Sequence, residues 1–462
     1  MQLTSPEYFI LLALVFFAYW FARRTGKLAV AIILGANYFF YARWHPIYLG
    51  LIPLAATCDF FIGRALGVRK SRFLITLSIL LNCGLILTSR YVPFLLDPFA
   101  AAHPAVASWE WLLPLSLSFY AFQAMTWTID IYRGDATPTP SLLSYLASVS
   151  FFPTIVAGPI TRVAKLLPQI ENTGLRLSPE DGSRALFLIG LGLVKKLLIA
   201  DYLGENLVNR VFDLPKLYSG METLLGAYGY TFQLYYDFSG YTDIALGSAL
   251  LLGITLPANF NRPYAALNVA DFWRRWHISL STWLRDYLFF SLPGQRSRWR
   301  PYLNLFITFT LGGLWHGANW TFVVWGALHG TGLAVVRGLQ AMRGKRKPQP
   351  GVVLRVLYIV VTFHFVALTW IFFRSANLST ALDVLRQIDS GTVSLANVTP
   401  GFWMVLGIAV AAHYVPHSWY TASLNAFTRV PAPVQAAALA LLIAGIRYVA
   451  VTGSAPFIYS RF

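Results

Sequence analysis

Charge is scarce in this sequence. Asp, Glu, Lys and Arg make up 12% of its 462 residues, about half the quarter typical of soluble domains. Too few charges are available to keep an ordinary surface wet, which excludes a soluble enzyme and a charge-rich disordered chain. Cysteine is almost missing. Cys58 and Cys83 are the whole complement, so neither a disulfide framework nor metal-ligand spacing is present. Both lie in apolar stretches and read as buried, inert thiols. The sequence also lacks G-x-S-x-G, a P-loop, H-E-x-x-H and C-x-x-C. A serine hydrolase, an ATPase and a zinc enzyme therefore have no support.

What is plentiful is apolar surface. Hydrophobic residues reach 56% and aromatic residues 16%, with a mean hydropathy of +0.56. These values describe an all-α polytopic membrane protein. The net charge of +17 comes from 36 Lys and Arg against 19 Asp and Glu. The basic residues form short clusters between apolar runs, the pattern of cytoplasmic loops facing anionic lipid. Nucleic acid is not the expected partner.

Uncharged runs at 8–22, 28–42, 73–89, 111–129, 136–161, 244–261, 301–336, 356–373, 390–428 and 430–446 give roughly eleven spans at ~20 residues each. Some segments dip in without crossing. Shorter runs at 46–58, 185–194 and 223–236 do not qualify alone. The first run precedes Arg23, Arg24 and Lys27. This order is the reverse of a signal peptide and reads as an uncleaved span with the N-terminus outside. Loops 64–72 and 337–347 are basic and expected inside; loop 91–110 has no Lys or Arg except at its flank and is expected outside. With no long linker and no clear internal repeat, residues 1–462 are expected to form one integral-membrane domain.

Residues 261–300 are the long polar interruption, with seven arginines against Asp271 and Asp286. Asn268 and Asp271 resemble a capping box. At helical spacing Phe272, Trp276, Leu280, Trp283 and Tyr287 share a face opposite Arg274, Arg275 and Arg285, predicting an amphipathic helix in the membrane interface. A plain surface anchor explains the same pattern. Residues 301–336 follow without Asp, Glu, Lys or Arg, and both flanks are basic, so this segment enters the membrane and returns. His316 lies near its middle. A helix from Pro301 carries it roughly 23 Å into a hydrocarbon core of about 30 Å. Gly312, Gly313 and Gly317 permit a break or a close backbone approach there.

Burial favours neutral imidazole, which accepts a proton. Such a base activates a hydroxyl attacking an acyl thioester, an effect of about 10²–10⁴-fold. Asn319, three residues on, would share a face with His316 and orient the ring or donate to an oxyanion. The competing reading for His316 is a hydrogen-bonded core histidine. His277 reads equally well as a group snorkelling beside Arg and Trp. His329 and His364 read as satisfied helix-packing groups. His413 and His417 lack a carboxylate, so no metal site is expected. Asp237 and Asp243 stand in an apolar region, ready to bind a substrate amine or hydroxyl, or to pair with Arg262 or Arg274; ion pairing is favoured. Pro153 and Gly158 inside one apolar run suggest a broken or re-entrant helix.

Several segments then carry a resemblance. They are Phe152-Pro-Thr-Ile-Val-Ala-Gly-Pro-Ile-Thr-Arg162, Tyr236-Asp-Phe-Ser-Gly-Tyr-Thr-Asp-Ile-Ala245 and Asn259-Phe-Asn-Arg-Pro-Tyr264, followed by Phe272-Trp-Arg-Arg-Trp-His-Ile-Ser-Leu-Ser-Thr-Trp-Leu-Arg-Asp-Tyr287 and Gly312-Gly-Leu-Trp-His-Gly-Ala-Asn-Trp320. The C-terminal Pro456-Phe-Ile-Tyr-Ser-Arg-Phe462 has a related aromatic ending. The chain resembles the membrane-bound O-acyltransferases, in particular the bacterial branch of alginate O-acetylation. It departs from that branch at Ser291-Leu-Pro-Gly-Gln-Arg296 and at Ser460.

The resemblance implies a helical bundle with re-entrant and interfacial helices and a tunnel at a catalytic histidine. It implies catalytic roles for His316 and His277, with Asn319, Trp315, Trp273, Asp237 and Asp243 as candidate substrate-binding residues and no bound metal or cofactor. The implied donor is a cytoplasmic acyl thioester such as acetyl-CoA. The implied acceptor is a secreted polysaccharide, reached directly or through a periplasmic acetyl-transferring partner. Alginate, cellulose, another exopolysaccharide and peptidoglycan remain open as acceptors. D-alanyl transfer to teichoic acid has the same chemistry, and a polysaccharide or lipid exporter and a non-catalytic scaffold are the readings from other classes.

Overall fold

The computed structural model describes residues 1–43, 46–100, 116–155, 158–172, 174, 176–343, 350–449 and 457. Those residues are helical throughout, with no strand among them. The longer helices are α1 (Pro6–Ala22), α2 (Gly26–Ala42), α3 (Tyr48–Val68), α4 (Arg72–Ala100) and α5 (Ser116–Arg133), then α6 (Pro179–Leu193), α7 (Gly220–Leu251), α8 (Arg300–His316), α9 (Trp320–Arg343) and α10 (Val352–Arg374). After them come α11 (Leu378–Asp389), α12 (Pro400–Tyr414), α13 (His417–Arg429) and α14 (Ala432–Val449).

Large apolar side chains cover the outside of the bundle, among them Phe21, Val353 and Leu441. A surface of that kind is stable against lipid rather than water. By length and composition α3, α9 and α10 are able to cross a membrane, and α13 with α14 forms a pair bent by 120°. The count of roughly eleven included shorter apolar segments, several of which are helices of 10–17 residues here. Cys58 is exposed on α3 rather than buried. Residues 91–100, expected in a loop, continue α4 as helix; the rest of that loop, the basic residues expected at 345–347 and the aromatic C-terminus apart from Phe457 lie outside the described residues.

At the centre runs α7. Ser219 and Glu222 close its first turn as a reciprocal capping box, satisfying two amides that helix geometry leaves unbonded. Most of its 32 residues are buried. Hydropathy divided this stretch into a weak run at 223–236 and another from 244, because Asp237 and Asp243 interrupt it; the structure joins both into one helix. Glycines bring α6 against it. A Cβ on Gly192 would stand 2.6 Å from the Gly240 carbonyl oxygen, and one on Gly247 2.6 Å from that of Ala185. Small residues at such crossings let backbones touch.

Two expected elements are broken. The run at 136–161 becomes Leu142–Val149 followed by the single turn Phe152–Ile155, as its proline and glycine suggested. Residues 261–300 form no continuous amphipathic helix. They fold as Val269–Trp273, a turn, Ile278–Trp283, a wider turn at Leu284–Leu288 and a short 3₁₀ segment. Phe272, Trp276, Leu280, Trp283 and Tyr287 are buried in the bundle core, so this apolar face is spent inside the protein. Asn268 does cap the first piece, accepting from the Asp271 amide at 2.9 Å, while the Asp271 carboxylate accepts from Leu267 at 3.1 Å.

The run 301–336 is a helical hairpin, α8 and α9, turning immediately after His316. Its basic ends lie side by side, with Arg337 over the Tyr302 ring at 5.7 Å. A Cβ on Gly313 would sit 2.2 Å from the Phe322 carbonyl oxygen, and one on Gly326 2.3 Å from that of Phe309. Beside Gly313, a Cβ on Gly312 meets nothing nearer than Leu284 at 3.4 Å. Gly313→Ala should therefore destabilise the protein by about 1–3 kcal/mol through overpacking, whereas Gly312→Ala should be nearly neutral. Thermal unfolding in detergent should show a lowered midpoint for the first variant alone; equal midpoints would refute the close contact.

Candidate functional site

His316 closes α8 and is buried, 3% exposed. Its ring lies among aromatic rings, with centroids 4.7 Å from Trp315, 5.0 Å from Trp325, 5.0 Å from Phe373 and 6.3 Å from Phe322. Behind the turn that His316 opens is a cavity of about 350 Å³. Gly317, Asn319, Tyr230, Gln233 and Arg374 are among its walls. Arg374 is oriented there by Asn209 Oδ1 at 3.2 Å.

Asn319 does not share a helical face with His316, because α8 has already ended. It opens α9: its Oδ1 accepts from the Thr321 amide at 3.0 Å, and its Nδ2 donates to the Ala376 carbonyl at 2.6 Å. Its role in the structure is to tie the His316 turn to the chain leaving α10. Trp315 is buried, stacked on Phe122 at 5.2 Å and edge-on to Phe119 at 5.5 Å. Trp273 is buried too and donates its indole N–H to His329 Nδ1 at 3.2 Å. That bond makes Nδ1 the acceptor of His329, so its Nε2–H donates to Thr369 Oγ1 at 3.0 Å. His329 is thus fully satisfied, as a helix-packing histidine should be. His364 meets Tyr228 Oη at 2.9 Å and the Val360 carbonyl at 2.8 Å. His413 Nε2 accepts from the Tyr264 amide at 3.1 Å. No cluster of three metal-ligating side chains occurs among the described residues.

His277 does not snorkel at an interface; it is 1% exposed. It occupies the turn between Val269–Trp273 and Ile278–Trp283 with φ 41° and ψ 55°, left-handed for a non-glycine residue. Such a conformation costs on the order of 1–3 kcal/mol and persists only when its surroundings impose it. Here the segment at Asn259 does so. The Asn259 carbonyl accepts from Ile278 at 2.9 Å, and Asn261 donates to the Arg275 carbonyl at 2.9 Å. Asn259 Oδ1 takes three more bonds, from Ser279 N at 3.2 Å, Ser279 Oγ at 2.8 Å and His277 Nδ1 at 3.1 Å. Ser279 Oγ in turn accepts from Ile160 N at 3.0 Å. Phe119 stacks on the His277 ring at 6.3 Å and also touches Trp315, so one aromatic bridge connects the surroundings of the two histidines. Sequence reading passed over Asn259 and Ser279, although each stood inside a quoted motif.

The two carboxylates of α7 pair with lysines, not with Arg262 or Arg274. Asp237 binds Lys196 Nζ at 2.5 Å, Lys196 also reaches Asp201 at 2.6 Å, and Asp243 binds Lys195 Nζ at 2.5 Å. Both lysines lie on Val194–Ala200, a π-helical widening that continues α6. Arg274 and Arg275 pair with Asp271 instead, and Arg262 reaches the Val415 carbonyl.

A model of the membrane-bound O-acyltransferase family matches residues 135–373, a stretch that includes His277, His316 and the α7 carboxylates. The chain belongs to that family. It is therefore a multi-pass membrane O-acyltransferase. Over 389 residues it is 38% identical to a probable alginate O-acetylase of Azotobacter vinelandii, covering 82% of this chain and 76% of that protein. A peptidoglycan O-acetyltransferase of Helicobacter pylori is 35% identical over 397 residues, 79% of this chain and 74% of the other. A teichoic acid D-alanyltransferase of Bacillus subtilis is 30% identical over 267 residues, 54% and 66% of the two chains.

Lys196 and Asp237 are each 1% exposed, so Lys196→Met strands buried carboxylates. In this acyltransferase the loss should be about 3–5 kcal/mol, the usual cost of removing one partner of a buried pair. Lys196→Met combined with Asp237→Leu and Asp201→Leu should recover most of it. Folded protein recovered from membranes measures both, and a stable single variant would show that these carboxylates are not held by Lys196.

Proposed function

We propose that this acyltransferase moves acetyl from a cytoplasmic thioester, acetyl-CoA, to hydroxyls of an extracytoplasmic polysaccharide, directly or through a periplasmic partner, with His316 as general base and His277 as a second functional residue. The observation that carries this reading is the position of His316. It lies at the tip of a hairpin whose ends are both basic, with a cavity directly beyond whose walls include Gln233, Asn319 and Arg374. Basic ends belong in the cytoplasm, so donor and acceptor approach the imidazole from opposite sides of the inner membrane. The same rule sets the N-terminus outside.

The chemistry balances without an external acid. The His316 imidazole takes the hydroxyl proton as the oxygen attacks the thioester carbonyl. The tetrahedral adduct then collapses, the C–S bond breaks, and the departing sulfur recovers that proton from imidazolium. The acetylating relatives, at 38% and 35% identity over most of the chain, favour acetyl over D-alanyl as the acyl group. Their printed acceptors, alginate and peptidoglycan, share carbohydrate hydroxyls.

Ester-linked acetate on the extracellular polymer should fall by about 10²–10⁴-fold in His316→Ala, with the variant at wild-type abundance in the membrane and polymer export unchanged. Retained acetate would refute His316 as the base. Loss of polymer export in place of loss of acetate would turn the reading toward an exporter.

A further inference from the structure

Asn259 stands outside every residue assigned above to the reaction, yet its side chain determines what His277 presents. An amide oxygen and an amide nitrogen look alike in outline, but here a backbone donor tells them apart. The Ser279 N–H points at Asn259 Oδ1 at 3.2 Å, and an N–H requires an acceptor, so this atom is the oxygen. The same oxygen lies 3.1 Å from His277 Nδ1. Nδ1 must then carry a hydrogen. Ser279 Oγ lies 3.4 Å from His277 Nδ1 as well, but it gives its own hydrogen to Asn259 and accepts from the Ile160 N–H, so toward Nδ1 it is left only as a second acceptor.

The other ring nitrogen, His277 Nε2, is buried and has no hydrogen-bond partner among the described residues. A buried nitrogen left so carries an uncompensated desolvation cost, which His413 Nδ1 and several Trp and Tyr side chains of the bundle carry too; at His277 the open nitrogen belongs to a ring fixed through the other one. The contrast with His329 is direct, since both nitrogens of that ring are bonded. Around His277 stand the aromatic faces of Phe119 on α5 and Phe238 on α7, neither able to use a lone pair.

We infer that Asn259 is a positioning residue: it locks His277 in the Nδ1–H tautomer, so that a bound substrate meets the Nε2 lone pair. His277 then receives a hydrogen bond from a substrate O–H or N–H and does not donate one to a developing oxyanion. This rests on the proposal that His277 takes part in acyl transfer. The left-handed turn and the four bonds that Asn259 accepts serve one end, a fixed ring with one fixed open nitrogen.

Two measurements on the full chain test it. The first is the ¹⁵N spectrum of histidine-labelled protein in lipid nanodiscs, with His277 assigned by the signals lost in His277→Gln. Nδ1 should be protonated and Nε2 bare, and Asn259→Leu should release the ring toward Nε2–H. A wild-type ring protonated at Nε2 alone overturns the inference. If Asn259→Leu fails to insert, Asn259→Asp keeps the acceptor and should keep the Nδ1–H form; a change of tautomer there is equally fatal.

The second is a double-mutant cycle read as polymer-bound acetate at matched abundance. Asn259→Leu should lose at least about tenfold, within the range reaching about 10⁴-fold seen when the orienting partner of a catalytic imidazole is replaced. In a His277→Ala background it should lose nothing further, because Asn259 acts only through that ring. A full additional loss would make Asn259 a structural residue and overturn the proposal. Wild-type acetate in His277→Ala would remove the role of His277 itself, and this inference with it, whereas a silent Asn259→Leu beside a damaged His277→Ala would sink the positioning role alone.

Discussion

Inside this bundle a buried carboxylate or ammonium group is costly unless the chain supplies its partner, because neither the protein core nor the lipid around it supplies water. The interior is arranged around that constraint. Lys195 and Lys196 are answered by Asp243, Asp237 and Asp201. Asp59, fully buried, takes hydrogen bonds from Ser78 at 2.6 Å and Asn82 at 2.8 Å. Trp273, His329 and Thr369 form a chain in which each donor is consumed in turn. These networks specify which helices touch and in what register. They also show why a π-helical widening sits at 194–200: it sets two consecutive lysines against carboxylates six residues apart on α7.

Where partners are satisfied, backbones can close up, and glycine decides how far. The α6–α7 and α8–α9 contacts are too tight for a Cβ at Gly192, Gly247, Gly313 or Gly326. This matters most for α8 and α9, whose turn carries His316. The turn is fixed from within by the hairpin and from outside by Asn319, whose amide bonds to Ala376 beyond α10. The imidazole therefore has its location set by three helices, and its surroundings by aromatic rings from all three. Precision of this kind is what the proton transfer proposed for His316 needs.

The membrane character, the all-helical class and the in-and-out path of 301–336 were legible, because each is a one-dimensional property: composition, periodicity, and charge at the flanks. The motif segments also converge in space. Arg162 from the first pairs with Asp286 of the fourth, and Asn259 of the third grips His277. What hydropathy hid was pairing across the sequence. Asp237 and Asp243 divided α7 in two on paper because Lys195 and Lys196 lie over forty residues away. The 272–287 face looked interfacial because a helical wheel shows that aromatic residues want burial, not whether lipid or protein provides it. Asn319 was drawn toward His316 by a spacing of three, which means a shared face only if the helix continues, and Gly317 ends it. Asn259 was invisible as a partner of His277 because nothing local links them; only the backbone bonds between 259–261 and 275–278 bring them together.

A transfer reaction with reagents on opposite sides of a bilayer faces an electrostatic difficulty, since moving a charge through low dielectric is costly. In the proposed reaction no charge has to move. The proton leaving the hydroxyl rests on imidazole and returns to sulfur, and acetyl itself is neutral. The transient ions are a neighbouring pair, the oxyanion of the tetrahedral adduct and an imidazolium beside the Trp325 and Phe373 rings, and aromatic faces carry negative potential that suits the cation. An aromatic casing is then a better environment than a carboxylate partner, which would hold the proton in place and slow its return. On this argument the absence of Asp, Glu, Lys and Arg from 301–336 is part of the chemistry: the hairpin gives its histidine a dry, polarizable pocket and leaves the charged residues to α6 and α7, where they hold the fold.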